Sequence, residues 1–234
     1  MSEPADSPND TLASELPDDV PASARVPIPT LERLTTYLRC LIDLGASGVD
    51  TVSSAQIETH TGIGAAQFRK DLSYFGEFGK PGVGYNVGEL EGRIARILQI
   101  HRLQPILLLG AGNLGSALVG YPGLEEHKFR IVAAFDTDPD KIGRRMRGMD
   151  ILPAERLAEV NEAVGARIAI LAVPAGAAQA AADAAVAHGI RAILNFAPVL
   201  LRTPPHVVVR NVSFLQELAV LSYHLTESDK RSSK

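Results

Sequence analysis

Three glycines and an aspartate are spaced as a phosphate-and-ribose site would need them. An apolar run, Ile106-Leu107-Leu108-Leu109, passes at once into Gly110-Ala111-Gly112-Asn113-Leu114-Gly115. The spacing is G-x-G-x-x-G between a strand and a helix. In that arrangement the first glycine allows the tight turn, the second lets a pyrophosphate approach the backbone, and the third lets helix and strand pack closely. The helix N-terminus then offers free N–H groups to the phosphates. A second apolar strand over 129–135 ends in Asp136, twenty-one residues after Gly115. A carboxylate there can accept hydrogen bonds from the ribose hydroxyls of an adenosine. Taken alone, G-x-G-x-x-G also describes an ordinary glycine-rich turn; the strand, the helix and the acidic residue in register favour dinucleotide binding.

The elements that must position this turn alternate as in an α/β fold: strand 105–109, helix from 114, strand 129–135, a short strand at 150–152, helix 154–164 and strand 167–173. A helix of small residues over 175–188 follows, able to lie close to a sheet, and then strands 191–196 and 207–212. The expected sheet is parallel, of the Rossmann type. Its ligand crevice at the carboxyl ends of the strands gathers Gly110 to Gly115 and Asp136 with Val173, Pro174 and Phe196. The last two segments also read as plain turns.

Upstream, 27–44 carries Leu31, Leu34, Leu38, Leu41 and Leu44 at three- and four-residue steps, with Gly45 closing the pattern, which predicts an amphipathic helix. Ser53-Ser54-Ala55-Gln56 reads as the capped start of a second helix that stops at Thr61-Gly62. A turn with Gly62 and Gly64 leads to a third helix over 65–75, so the block has the form helix, turn, helix. On the third helix Ala65, Phe68, Leu72 and Phe75 share one face, for the core. The other face presents Ala66, Lys70, Ser73 and Tyr74, flanked by Gln67 and Arg69. Lys and Arg can neutralise phosphates or reach guanine, Gln can address adenine, and Ser and Tyr can position the backbone. Such a face suits a DNA groove; the alternative is an ordinary solvated helix surface. The segment 76–85 reads as two short extended pieces around a Gly/Pro turn bearing Lys80, like the wing of a winged helix, or else as a flexible connection. The candidate DNA contacts are Ser54, Gln67, Arg69, Lys70, Ser73, Tyr74 and Lys80. Helical spacing resumes over 87–100 and closes the block near Leu103.

Composition bounds the rest. The chain has 234 residues, 46% of them hydrophobic, enough for one or two cored domains. Its formal charge of −4 is concentrated in residues 1–24, where Glu3, Asp6, Asp10, Glu15, Asp18 and Asp19 meet no basic residue. The remainder is slightly positive. That acidic, Ser- and Pro-rich tail, residues 1–26, is expected to be disordered, because it cannot bury enough apolar surface to offset its ordering entropy. The single cysteine, Cys40, cannot form a disulfide within the chain and falls among leucines at a core position. Neither a signal peptide nor a membrane span is indicated, so a cytoplasmic protein is expected.

The last helix has its own argument. Ser213 with Gln216 three residues on reads as a capping box, and Phe214, Leu215, Leu218, Val220, Leu221, Tyr223 and Leu225 make the helix apolar almost all the way round. Burial against a second subunit explains such a helix better than one sheet face does, although packing on its own sheet is the alternative.

From about Pro27 to Leu225 the chain resembles the Rex family of redox-sensing transcriptional repressors. The resemblance rests on Tyr37-Leu38-Arg39, on Arg69-Lys70-Asp71-Leu72-Ser73-Tyr74-Phe75-Gly76, on Gly82-Val83-Gly84-Tyr85 and on the Gly110–Gly115 turn. It extends through Tyr121-Pro122-Gly123, Asn195-Phe196-Ala197-Pro198 and Asn211-Val212-Ser213-Phe214-Leu215. It implies a homodimer that binds an inverted-repeat operator in double-stranded DNA, with NADH and NAD⁺ competing as regulatory ligands and NADH releasing the DNA. It also implies a C-terminal helix exchanged between subunits, placing Phe214 near the partner's nicotinamide. Some relatives have an acidic residue just before that phenylalanine, able to pair with Tyr121 or Arg39. Ser213 stands there instead, able to hydrogen-bond but not to form a charged pair. Arg39, Tyr121 and Ser213 are therefore the candidate switch residues. The expected organisation is a tail over 1–26, a winged-helix domain over 27–103, a Rossmann NAD(H)-binding domain over 104–212, a dimerisation helix over 213–226 and a flexible tail over 227–234.

The competing reading is an NAD-dependent oxidoreductase with a fused helix-turn-helix domain. It would need a proton donor at the crevice, such as a histidine or a Tyr/Lys pair. None of His60, His101, His127, His188, His206 and His224 lies in the crevice segments, and no catalytic residue is assigned. No Cys/His/Asp spacing suggests a metal.

Overall fold

The structure, a computed structural model, describes residues 26–79 and 82–232. The chain separates into two compact units between His101 and Arg102, two residues before the expected boundary. The acidic tail and Lys80 lie outside the described residues.

In the first unit, α1 (Ile28–Ala46) buries Leu34, Leu38, Leu41 and Leu44 together with Tyr37 and Cys40. Its stop is later than the leucine pattern suggests. Gly45 is accommodated in the helix, and the chain turns at Ser47, whose hydroxyl donates to the Asp43 carbonyl, and at Gly48, which has φ 78°. Helix α2 (Ser54–Thr61) begins with a complete capping box: Ser53 Oγ accepts from Gln56 N at 3.2 Å and Gln56 Oε1 accepts from Ser53 N at 2.9 Å. Gly62, at φ 71°, ends it. Helix α3 (Ala65–Ser73) is two residues shorter than expected, yet Phe75 beyond its end is still buried. Phe68 locks α3 to its surroundings, its ring standing edge-on to Tyr37 at 4.9 Å and to Tyr85 at 5.3 Å. Truncating a fully buried phenylalanine of this kind costs about 3–5 kcal/mol.

The expected wing differs in its pairing. Strand β1 (Thr51–Val52) pairs antiparallel with β2 (Tyr85–Asn86). Residues 76–79 do not form the second extended piece; the partner strand comes instead from the loop before α2, where no alternation marks it. The close approach requires Gly84, since a Cβ there would stand 2.7 Å from the Val52 carbonyl oxygen. Asn86 then caps α4 (Val87–Ile97), which buries Val87, Leu90 and Ile94.

The second unit is a seven-stranded sheet. Its strands are β3 (Gln104–Leu109), β4 (Phe129–Asp136), β5 (Arg145–Met146), β6 (Met149–Pro153), β7 (Ile168–Leu171), β8 (Ala192–Asn195) and β9 (Val208–Asn211), in the order β5-β6-β4-β3-β7-β8-β9. All pairs are parallel except β5–β6, an antiparallel hairpin at one edge: β6 contains the expected short strand at 150–152, whereas β5 and its antiparallel pairing depart from the expected parallel sheet. Its two-residue turn is Arg147-Gly148, with φ 52° and 88°, the backbone handedness that such hairpins require. From β3 the chain runs outward to one edge and then crosses back to β7, so the switch point lies between β3 and β7. Helices α5 (Asn113–Val119), α6 (Pro122–Glu126), α7 (Leu157–Val164) and α8 (Ala175–Ala187) supply the connections. Ala178, Ala182 and Ala185 bury one face of α8, the small side chains letting it lie on the sheet.

Helix α9 (Phe214–Ser232) runs on past the expected end near 226, so the segment 227–232 is helical rather than an irregular tail. From Phe214 to Leu225 every residue is exposed, including Leu215 at 78% and Leu225 at 68%. The alternative in which this helix packs on its own sheet is therefore not what the chain adopts.

Candidate nucleotide crevice and DNA-reading face

At the switch point the three glycines have three different physical reasons. Gly110 has φ 103°, and a side chain there would run into the Ala172 carbonyl of β7's end. A side chain on Gly115 would strike the Gly110 carbonyl, so this glycine allows α5 to sit against the turn. Gly112 faces open space, with nothing within 4 Å of where a Cβ would be. That opening, at the N-cap of α5, is what a pyrophosphate would need to meet the backbone N–H groups. Asn113 is exposed in the first turn, Leu114 is half-buried, and Ala111 is buried.

Asp136 ends β4 beside this turn. One carboxylate oxygen accepts from Ala111 N at 2.9 Å and from Lys141 Nζ at 3.1 Å, and the other accepts from Asp138 N at 2.9 Å. Burial pushes the carboxyl up, but the Asp138 and Ala111 N–H groups and the Lys141 ammonium outweigh it and hold Asp136 below the usual carboxylate range. The hydrogen bond that Lys141 donates to Asp136 raises the lysine in turn. Lys141, which also lies 3.4 Å from Asp138, was not among the candidates. The Asp136-Thr137-Asp138-Pro139-Asp140-Lys141 stretch does carry its signal: a turn-forming segment returning a cation to the strand's terminal carboxylate.

Val173 is half-buried against the Gly110 turn, Pro174 is the exposed N-cap of α8, and half-buried Phe196 donates its N–H to the Leu171 carbonyl at 2.9 Å. Parallel neighbours β4, β3, β7 and β8 thus bring Asp136, the glycine turn, Val173, Pro174 and Phe196 along one edge. Buried Asn195, which was read only as part of that edge, organises its loop: Nδ2 donates to the carbonyls of Ala197 and Val199 and to Asn211 Oδ1, while Oδ1 accepts from Ala197 N. Phe214 does not join this group within its own chain; it opens α9 and is 65% exposed.

The other candidate surface lies on the first unit. Arg69, Lys70 and Ser73 are exposed on α3. Arg69 Nη1 donates to Ser54 Oγ at 2.8 Å, and Ser73 Oγ donates to the Lys70 carbonyl at 2.8 Å. Two residues of the set turn inward. Gln67 gives its amide to Asp71 Oδ1 at 2.9 Å, and Tyr74, half-buried after the helix end, packs against the core. The wheel puts Tyr74 on the outer face, whereas at the C-cap of α3 its ring lies partly against the core.

Arg39 is exposed on α1 and Tyr121 is 59% exposed before α6. The Ser213 hydroxyl caps α9, accepting from Gln216 N at 3.2 Å, rather than meeting Tyr121. Among the described residues no group of His, Cys, Asp and Glu could hold a metal, and no helix is long and apolar enough to cross a membrane.

Residues 25–73 match the family model "Putative DNA-binding protein N-terminus", and residues 101–199 match "CoA binding domain". The chain is 46% identical over 208 residues to the redox-sensing transcriptional repressor Rex of Pelotomaculum thermopropionicum, covering 89% of this chain and 98% of that one. It is also 46% identical over 204 residues to Rex of Thermus thermophilus, covering 85% and 93%. Among solved structures, the Rex-family repressor RSP in complex with NAD⁺ and operator DNA superimposes with a TM-score of 0.83 at 34% identity, covering 90% of this chain and 97% of that one. RSP in complex with NADH gives a TM-score of 0.79 at 32% identity, covering 90% and 99%.

Proposed function

The chain belongs to the Rex family of redox-sensing transcriptional repressors, and from that premise we propose that it represses by binding an inverted-repeat operator as a homodimer and is released by NADH. The observation that carries the reading is the pairing of two sites in one chain: an open Gly112 at the head of α5 beside Asp136, and a helix-turn-helix presenting Arg69 and Lys70. Gly110, Gly112 and Gly115 fit the pyrophosphate of a dinucleotide, Asp136 fits the adenosine ribose, and Val173, Pro174 and Phe196 border the crevice beyond them. The nicotinamide supplies the redox signal, uncharged when reduced and positively charged when oxidised.

Helix α9 supports the dimer. Phe214, Leu215, Leu218, Leu221 and Leu225 stand exposed on it, and such a surface favours burial in a second subunit. We assign it as the exchanged helix, with Phe214 of each subunit serving the partner's crevice. An apolar ring there favours the reduced, uncharged nicotinamide, because desolvating the charged ring is costly. Arg39, Tyr121 and Ser213 are the proposed switch contacts, with a hydroxyl in place of a carboxylate at 213. In this reading the protein is a cytoplasmic sensor rather than a hydride-transfer enzyme: the two nicotinamide forms are bound as signals and are not interconverted.

The test is a titration of labelled inverted-repeat DNA with the purified protein, adding NADH or NAD⁺ in turn. Release by NADH at concentrations where NAD⁺ leaves the complex intact is expected. Indifference of the complex to both nucleotides overturns the reading, and steady-state consumption of NADH would establish the oxidoreductase instead.

A further inference from the structure

Asp71 is fully buried in α3, a helix whose inward face is otherwise apolar through Phe68 and Leu72. Four side chains donate to its carboxylate. Arg33 binds it with both arms, Nε to Oδ2 at 2.6 Å and Nη2 to Oδ1 at 2.7 Å. Tyr37 OH reaches Oδ2 at 2.9 Å, Thr30 Oγ1 reaches Oδ1 at 3.2 Å, and Gln67 Nε2 reaches Oδ1 at 2.9 Å. Three of the four donors lie on α1, so the carboxylate joins the DNA-reading helix to the scaffold helix.

A buried ion pair of this kind is a poor device for stability alone. Desolvating the Asp71 carboxylate, whose partner Arg33 stays partly exposed, offsets much of their attraction, and a well-packed apolar side chain in the same place is often at least as stable. Direction is what the pair adds. Phe68 and Leu72 hold α3 by non-directional apolar contacts, whereas a forked guanidinium and a phenol on one carboxylate add fixed directions to that packing. Side chains reach about 5–6 Å from a helix axis, so a rotation of about 20° displaces them by about 2 Å, more than a hydrogen bond tolerates. Lys70 and Arg69 precede Asp71 by one and two residues, and their angular positions follow from its own.

We infer that Asp71 is a positioning residue for operator recognition, its anchorage to Arg33 and Tyr37 setting the rotation at which α3 presents Arg69 and Lys70. The inference rests on α3 being the DNA-reading helix. It differs from a role in folding alone because it concerns discrimination between sequences. Arg69 and Lys70 remain at the surface whatever the rotation and still neutralise phosphates; base readout alone needs the register.

The experiment compares Asp71→Asn, Tyr37→Phe and the unaltered full-length protein for affinity to an operator duplex and to a scrambled duplex over a salt series. Thermal midpoint and NADH affinity are measured alongside. Asp71→Asn is expected to lower the operator-to-scrambled ratio about tenfold with little change in salt slope and no change in NADH affinity, which belongs to the other unit. Tyr37→Phe removes one hydroxyl and leaves the Arg33 fork in place; it is expected to lower the ratio about threefold, and it carries the test if Asp71→Asn does not fold. A lowered thermal midpoint with an unchanged ratio in the folded variants overturns the inference, because a purely structural role predicts that result. If the unaltered protein shows no preference for the operator, the DNA reading itself fails, and this inference with it.

Discussion

Arg69, on α3, the proposed DNA-reading helix, donates from Nη1 to the hydroxyl of Ser54 at 2.8 Å, across the turn and in the first turn of α2. The guanidinium is thereby held beside a helix N-terminus whose free N–H groups favour an anion. Among the described residues Lys70 has no such tie, and it extends from the exposed face of α3.

This geometry separates the two cations. Arg69→Ala is expected to weaken operator and scrambled DNA alike and to reduce the salt slope by about one, as a phosphate contact does. Lys70→Ala is expected to cost about 1–3 kcal/mol and to relax one operator position, as a base contact does. Salt titrations on a panel of single-base operator variants distinguish them. Unaltered operator affinity in both variants contradicts the assignment of α3 as the recognition helix.

Asp136 is expected to make the crevice selective for NADH over NADPH, since a carboxylate that accepts ribose hydroxyls repels a 2′-phosphate. Lys141 refines the prediction. In the unaltered protein its ammonium is engaged by Asp136 and Asp138; in Asp136→Asn it keeps only Asp138 and is expected to meet an anion at the ribose position. That variant should lose NADH affinity and gain relative affinity for NADPH, and Lys141→Ala added to it should remove the gain. Calorimetry that finds NADPH bound as tightly as NADH by the unaltered protein contradicts the placement.

Linkage makes the sensor reciprocal. If NADH releases DNA, operator DNA must weaken NADH binding by the same factor, because a ligand shifts an equilibrium only by its differential affinity for the two states. NADH affinity measured with and without saturating operator gives that factor directly. Phe214→Ala should bring the affinities for NADH and NAD⁺ closer together. Equal NADH affinity in the free and DNA-bound protein would sink the sensor reading.

Substituting Leu218 and Leu221 by Asp on α9 should yield monomers in sedimentation, with operator affinity reduced toward that of a single half-site. Dimers that persist at micromolar protein show that another surface carries the assembly.

The acid limb of stability has a definite sign. Burial raises the Asp71 carboxyl, but hydrogen bonds from Arg33, Gln67 and Tyr37 hold it below its ordinary value. A carboxyl depressed in the folded state contributes fully above its unfolded pKa of about 3.9 and loses that contribution as pH falls through the folded value. The stability advantage of the unaltered protein over Asp71→Asn, followed by thermal denaturation, should hold from pH 7 to about pH 5 and shrink below about pH 4. A difference that stays constant down to pH 3 means that Asp71 does not act as a charged acceptor.

Local chemistry was legible without coordinates. The glycine spacing and Asp136 declared the nucleotide turn because each glycine answers a constraint within a few residues of chain. The Ser53/Gln56 capping box, the leucine stripe of α1 and the alternating strands and helices of the second unit are likewise short-range patterns, and the structure keeps them. In the sequence Asp71 is one letter of the 69–76 motif. A carboxylate among Phe68 and Leu72 does announce that a partner is required, but it does not say that the partner is Arg33, thirty-eight residues earlier.

By itself, then, the sequence determined where α1, α2, α3 and α8 begin and that a glycine turn follows β3, since those follow from backbone propensity and from periodicities of 3.6 and 2 residues; α6 carries no such pattern. It also determined that α9 is too apolar for one face. Only the tertiary structure decided that β1 pairs with β2, that Arg147 and Gly148 close an edge hairpin, that Lys141 returns to Asp136, and that Gln67 and Tyr74 turn inward while Arg69 leans on Ser54. Each depends on distance and direction between segments far apart in the chain, and a side chain's choice between partner and solvent is settled only when the packing around it is complete.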